Sequence, residues 1–202
     1  GSATNDGGAG MAQALGAKLL DDKGEELQYG GAMLKKLDHI DISEMLPELK
    51  DVKVIIASDV TNPLTGKNGA SHVFGPQKGA SPEMADFLDE ALSHYADVLK
   101  RDLGKDLEQT PGAGAAGGLG AGLLAFTNSQ MRSGVDIVVD YTGLKNIVQD
   151  ADVVITGEGQ IDFQTKFGKT PIGVAKATKA VNPNATVIAI AGSVGEKISE
   201  LY

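Results

Sequence analysis

Four carboxylates stand at or just after apolar runs: Asp59 after 53–58, Asp140 in 135–140, and Glu158 and Asp162 after 152–156. Carboxylates that converge beside glycine turns suit Mg²⁺, which takes one or two of them together with substrate oxygens. Each one singly also reads as a turn or cap residue. Lys78 and Lys169 lie in glycine-flanked segments, where an ammonium can meet a phosphate or simply face water. Gly168-Lys169-Thr170 looks like the close of a Walker A loop, but position 163, where the loop's first glycine belongs, is Phe163. Thr170 reads better as the cap before Pro171. Gly112-Ala-Gly114-Ala-Ala-Gly117 matches G-x-G-x-x-G. A dinucleotide turn of that form must follow a strand directly. The two other readings are close packing of a glycine-rich helix entry and phosphate contact through exposed N–H groups. His39, His72 and His94 have no metal-ligand spacing, and His94 falls at the boundary of an apolar stripe.

The elements that must position these groups follow from periodicity. A helix is expected over 7–17, with Asn5 or Asp6 as its cap, then a hairpin over 17–29 turning at Asp22-Lys23-Gly24. The run 53–58 reads as a strand buried on both faces. The clearest helix is 82–103: Ser81 caps it, Pro82 opens it, an apolar stripe from Met84 to Leu99 faces inward, and Gly104 stops it. A small, apolar helix is expected over 115–131, a strand over 135–140 and a short helix over 144–149. A buried strand over 152–156 ends at Gly157, a helix follows over 171–181, and a last strand over 185–191 ends at Gly192-Ser193. Strands alternating with helices predict an α/β fold with a largely parallel buried sheet flanked by helices, plus the small β-hairpin near 17–29. Ligands then bind beyond the carboxyl ends of the strands. The chain reads as one α/β unit over 1–202, with 17–149 as a candidate inner subdomain.

Composition removes several function classes. With no cysteine there are no disulfides, thiolate nucleophiles or Cys-ligated metals. A net charge of −9 and few aromatic residues disfavour a nucleic-acid partner. No apolar run nears the roughly 20 residues of a membrane span and no basic-then-apolar leader opens the chain, so a cytoplasmic location without a membrane partner is expected. The 27 glycines cluster between the periodic segments, as tight turns and close backbone approaches require.

Four segments together resemble the bacterial glycerate kinases: Gly1-Ser-Ala-Thr-Asn-Asp-Gly-Gly8; Asp59-Val-Thr-Asn-Pro-Leu-Thr-Gly66 with Gly69-Ala-Ser-His-Val-Phe-Gly-Pro-Gln-Lys-Gly79; Gly112 to Gly118; and Asp152 to Gly159 with Asp162, Gln164-Thr165 and Gly168 to Ala175. The resemblance implies Mg²⁺-dependent transfer of the ATP γ-phosphoryl group to a hydroxyl of D-glycerate. It makes Asp59, Asp162 and Lys169 the catalytic candidates. Asn5, Asp6, Asn62, Lys78, Gly112, Gly114, Gly117, Gln164 and Thr165 are the substrate- or phosphate-binding candidates, and Asp59, Asp162 and Glu158 the candidate metal ligands. Asn5 and Asp6 are explained equally well by helix capping. Members of the family are longer at both ends, so the chain reads as a central fragment. It is expected to fold, to be inactive or nearly so alone, and to self-associate through exposed sheet edges. The alternatives are a non-catalytic ligand-binding domain and, from G-x-G-x-x-G alone, an NAD-dependent oxidoreductase. A loop or helix before Gly112 would reject the second.

Overall fold

A computed structural model describes residues 2–161 and 170–195. The chain divides into two compact units, Gly1–Met131 and Arg132–Tyr202. The first contains α1 (Ala9–Ala14), β1 (Lys18–Leu20), β2 (His39–Asp41), β3 (Val54–Ala57), α2 (Ala70–Phe74), α3 (Pro82–Leu103) and α4 (Ala115–Phe126). β4 (Ser129–Arg132) runs out of it. The second contains α5 (Gly134–Thr142), α6 (Leu144–Ile147), β5 (Val153–Ile161), α7 (Thr170–Val181) and β6 (Thr186–Val194). The class is α/β, as expected. No described helix is long and apolar enough to cross a membrane.

In the first unit α3 is the axis. The Ser81 hydroxyl accepts the Met84 N–H at 3.2 Å, Pro82 costs nothing in the first turn, and Gly104 closes the helix at φ 68°. Leu92, Tyr95 and Leu99 are fully buried against Leu34, Leu37, Leu64 and Ala12. Met84 and Phe87, expected on the buried stripe, are about half exposed at its solvent end. His94 does sit at the stripe's boundary, with Nε2 2.7 Å from the Leu37 carbonyl. β1 pairs antiparallel with β2, from Lys18 opposite Asp41 to Leu20 opposite His39. The expected hairpin survives only as a turn closed by a Leu20–Glu26 bridge, because β2 offers β1 the longer partner.

The structure corrects four further sequence expectations. The run 135–140 is not a strand but lies in α5: the Ser133 hydroxyl accepts the Asp136 N–H, and this cap outweighs the β-branched composition. Asp140 is therefore a helix residue, ion-paired to Arg132, which holds its carboxyl below the usual range. The helix expected to reach residue 131 stops at Phe126, since 129–132 pairs with β3 instead. β5 and β6 do not end at Gly157 and Gly192. They run on in parallel register to Ile161 and Val194, glycine included, because a parallel ladder needs only backbone groups. Finally, the strands are not buried on both faces: Ile55 is 45% and Ile155 65% exposed. Among the described residues each sheet has two strands, and α7 packs on the β5–β6 pair.

One surface latch has a pH signature. His72 of α2 places Nε2 2.9 Å from Asp86 and Nδ1 3.5 Å from Asp89, both on α3, with the Gly66 carbonyl 3.1 Å from Nδ1. Chiefly the Asp86 hydrogen bond raises its pKa above 6.5; slight burial opposes this and Asp89 adds to it. A raised folded-state pKa gives stability that is complete below the unfolded value and is lost as pH rises through the folded one. His72→Gln should therefore lower the melting temperature at pH 6 and make progressively less difference through pH 8. Thermal melts of both proteins across that range check it; a gap that widens with pH contradicts it.

Candidate active site

The first unit gathers three of the motif segments around one glycine turn. Asp6 turns the chain into α1: its two carboxylate oxygens accept the N–H groups of Gly8 and Gly10, each at 3.1 Å. The capping reading of Asp6 thus holds, and the cap fixes its carboxylate in place. Beneath it, Gly7 has φ 66° and lies on the Tyr95 ring; a Cβ there would fall 2.6 Å from Cε1. Tyr95 is wholly buried, its hydroxyl has no partner, and burial pushes its pKa far above the ordinary value. The neighbouring Asn5 donates from Nδ2 to the Ser71 hydroxyl at 2.8 Å, tying the first segment to α2. Its Oδ1 is buried with no hydrogen-bond partner. Gly31 presses on the other side, leaving no room for a Cβ beside the Asn5 carbonyl (2.1 Å). Thr4, Asn5, Asp6, Gly10, Tyr29, Gly30 and Gly31 line an open cleft of about 510 Å³.

Lys78 reaches this place from the end of the second segment. Its Nζ donates to the Thr4 carbonyl at 2.6 Å and would sit 2.9 Å from a Cβ on Gly117. Burial lowers its pKa and the negative charge of Asp6 opposes that shift. An ammonium has three donors, so the Thr4 contact leaves two.

The glycine turn shows the close packing that the sequence offered as one of its readings. The N–H groups of Gly112 and Gly114 both donate to the Asn62 carbonyl, at 3.1 and 3.0 Å. Asn62 in turn donates from Nδ2 to the Asn68 carbonyl at 2.8 Å. Ala116, Gly117 and Gly118 are left-handed in succession, and the Gly117 carbonyl accepts the Gly7 N–H at 3.0 Å. Close packing therefore accounts for Gly112, Gly114 and Gly117. The turn joins the Asn62 loop at one end to the Thr4–Gly7 loop and Lys78 at the other. Residues 104–111 are loop and turn, so no strand precedes Gly112, and the dinucleotide reading fails.

Asp59 is exposed in the loop after β3, just before Val60, whose N–H donates to the Ser58 hydroxyl at 3.3 Å. Glu158 belongs to the second unit; its Oε2 is buried and has no hydrogen-bond partner among the described residues, a donor oxygen fit for a cation. Among the described residues no group of three or more His, Cys, Asp or Glu side chains could hold a metal ion, so a cation here would need ligand oxygens from a bound substrate as well. Asp162, Gln164, Thr165 and Lys169 lie outside the described residues. The sequence reading did not single out Ser71, Tyr95 or Gly31. Ser71 stood inside a quoted motif, and Tyr95 on the α3 stripe, where it read as core only.

Comparison with known proteins gives a consistent result. The whole chain, residues 1–202, matches the glycerate kinase family. It is 55% identical to a glycerate kinase of Halalkalibacterium halodurans and 53% identical to a glycerate 2-kinase of Escherichia coli, each over all 202 residues. Those matches cover 53% and 52% of the two relatives, so the chain spans about half the length of the curated relatives it matches. Among solved structures, a Salmonella typhimurium LT2 protein described as a glycerate kinase 2 superimposes with a TM-score of 0.83 at 53% identity. That match covers 96% of this chain and 54% of the other.

Proposed function

The chain belongs to the glycerate kinase family, and from that premise we propose that it is the central portion of a cytoplasmic enzyme that moves the γ-phosphoryl group of ATP, with Mg²⁺, onto a hydroxyl of D-glycerate. The observation that carries this reading is the Lys78 ammonium, held on the Thr4 carbonyl beside Asp6 and Gly117 with two donors to spare. Phosphoryl transfer needs little covalent help from a protein; it needs positioning and a field matched to charge on the phosphoryl oxygens. Mg²⁺, when bound with the nucleotide, would neutralise part of that charge. Asp59 is the candidate ligand in the first unit; in the second, Glu158 is a separate described candidate and Asp162 a further one from the sequence.

In this reading Lys78 meets a phosphate oxygen, and the glycine turn acts as scaffold rather than as cradle, because the N–H groups of Gly112 and Gly114 are already spent. Asn5 and Asp6 edge the cleft that receives the acceptor. The acceptor hydroxyl oxygen bonds to phosphorus, the bond from phosphorus to the bridging oxygen of ADP breaks, and the hydroxyl proton passes to a carboxylate. Asp59 is our candidate for it in the first unit. The name of the Escherichia coli relative supports O2 of glycerate as the acceptor.

The test uses a protein of the relatives' length that carries this chain. Coupled ADP release should depend on D-glycerate and not on other hydroxy acids, and ³¹P spectra of the product should show 2-phosphoglycerate. No glycerate-dependent ADP release refutes the kinase reading, and a 3-phosphoglycerate product refutes the choice of acceptor oxygen alone.

A further inference from the structure

Tyr29 is the one aromatic side chain on the wall of the cleft in the first unit. Its ring is 76% exposed, so burial does not account for its place. The backbone on both sides of it is nonetheless fixed. Upstream, Leu27 is buried; its N–H donates to the Leu19 carbonyl and its carbonyl accepts the Gln13 side-chain amide, both at 2.8 Å. Downstream, Gly30 turns the chain at φ 117° and ψ 143°, a conformation that a side chain resists even though open space surrounds it. Gly31 then presses on the Asn5 carbonyl. The ring itself lies along the first turn of α1, where a Cβ on Gly10 would come 3.7 Å from Cδ1. An anchored loop thus holds out an aromatic ring that is backed in part by α1 and otherwise open.

What the cleft takes follows from its size and charge. Its volume of about 510 Å³ is that of a cofactor-sized site, a class spanning roughly 300–1,000 Å³, and exceeds what a three-carbon acid fills. Thr4, whose carbonyl holds the Lys78 ammonium, also lines it. Asp6 is the one charged side chain of the wall and repels a phosphate from its own stretch. A ligand with a phosphate tail and a flat, uncharged head suits this arrangement, with the tail at Lys78 and the head at Tyr29. Aromatic side chains hold nucleobases by stacking, because every base has a π face. We propose that Tyr29 is the platform on which the base of the phosphoryl donor stacks. The inference rests on the kinase reading and adds to it the group that holds the nucleoside end of the donor.

The experiment uses the family-length protein as wild type, Tyr29→Ala and Tyr29→Phe, with Mg²⁺–ADP and inorganic pyrophosphate as calorimetric probes. Tyr29→Ala should weaken ADP binding about 5- to 150-fold, the usual loss for one stacked base, and leave pyrophosphate within about twofold. Tyr29→Phe keeps the ring and should bind both as wild type does. In turnover, Tyr29→Ala should raise KM for ATP by a similar factor and leave KM for D-glycerate unchanged. Its melting temperature should move by less than about 2 °C, because the ring is exposed. Equal ADP affinity in wild type and Tyr29→Ala, in a protein that releases ADP with glycerate, overturns the inference and leaves the kinase reading standing. Parallel losses for ADP and pyrophosphate assign Tyr29 to the shape of the loop, and a raised KM for glycerate alone assigns it to the acceptor; either overturns the inference. A wild type that binds no ADP and turns over no glycerate overturns the reading and the inference together.

Discussion

Lys78→Met in the family-length protein is expected to lower glycerate-dependent kcat/KM by roughly 100- to 1,000-fold, the usual effect of removing one preorganised donor from a charge-stabilising site. Methionine keeps much of the aliphatic stem that packs beside Gly117 and removes the ammonium. The lost hydrogen bond to Thr4 is worth about 1 kcal/mol, so the melting temperature should fall by only about 2–4 °C. The contrast between a large kinetic loss and a small thermal one is what separates a phosphate contact from a staple. Lys78→Arg tests the geometry further. The guanidinium restores charge, but its planar fork cannot take the same place between the Thr4 carbonyl and Gly117, and recovery should be partial. Turnover of Lys78→Met within threefold of wild type, measured by coupled ADP release, would remove Lys78 from the site.

Gly118→Ala should be among the most destabilising single changes in the first unit. Gly118 has φ 89°, and a Cβ there would sit 2.6 Å from the Gly7 Cα and 2.8 Å from Leu64 Cδ1. A left-handed alanine costs about 1–2 kcal/mol, and forcing a methyl into packed backbone about 1–3 more. The sum, roughly 2–5 kcal/mol, is a large share of the roughly 5–15 kcal/mol that holds an ordinary domain together. Gly24→Ala supplies the control, since its φ is 78° but nothing lies within 4 Å of the added Cβ. It should cost only the conformational part. Denaturant melts of the two variants should differ by at least about 1 kcal/mol; equal losses would show that the Gly7–Gly118 contact is loose enough to accommodate a methyl.

These two positions show what was legible beforehand. The glycine clusters announced close backbone approach, and Gly118 against Gly7 is such an approach. They could not announce what approaches what, because the partners lie more than a hundred residues apart in sequence. The helix 82–103 was readable to the residue, since its cap, its first-turn proline and its stop glycine are all local signals. The run 135–140 was misread because four of the six residues from Val135 to Asp140 are β-branched, while the decisive cap, Ser133, lies outside the run. Burial of the strands was over-read for a different reason. β-branched runs read as buried on both faces, whereas among the described residues Ile155 and Ile190 stay exposed on one face of β5–β6. At the site, charge-bearing candidates such as Lys78 and Asp6 came from motifs. The groups that hold the site together, the Thr4 carbonyl under Lys78, the Ser71 hydroxyl under Asn5 and the Tyr95 ring under Gly7, act through backbone or through burial and leave no chemical signature in a sequence.

The central claim is that the Thr4–Gly7 loop, Lys78 and the Gly117 turn form one site for a phosphorylated ligand. Amide chemical-shift mapping of the ¹⁵N-labelled family-length protein with Mg²⁺–ATP tests it directly. The account predicts that Asn5, Asp6, Gly7, Lys78 and Gly117 shift together along one saturation curve, while Lys23 and Gly24, at the β1 turn, stay still. A saturating titration that leaves those five amides unmoved, in a protein that still releases ADP with glycerate, would contradict it.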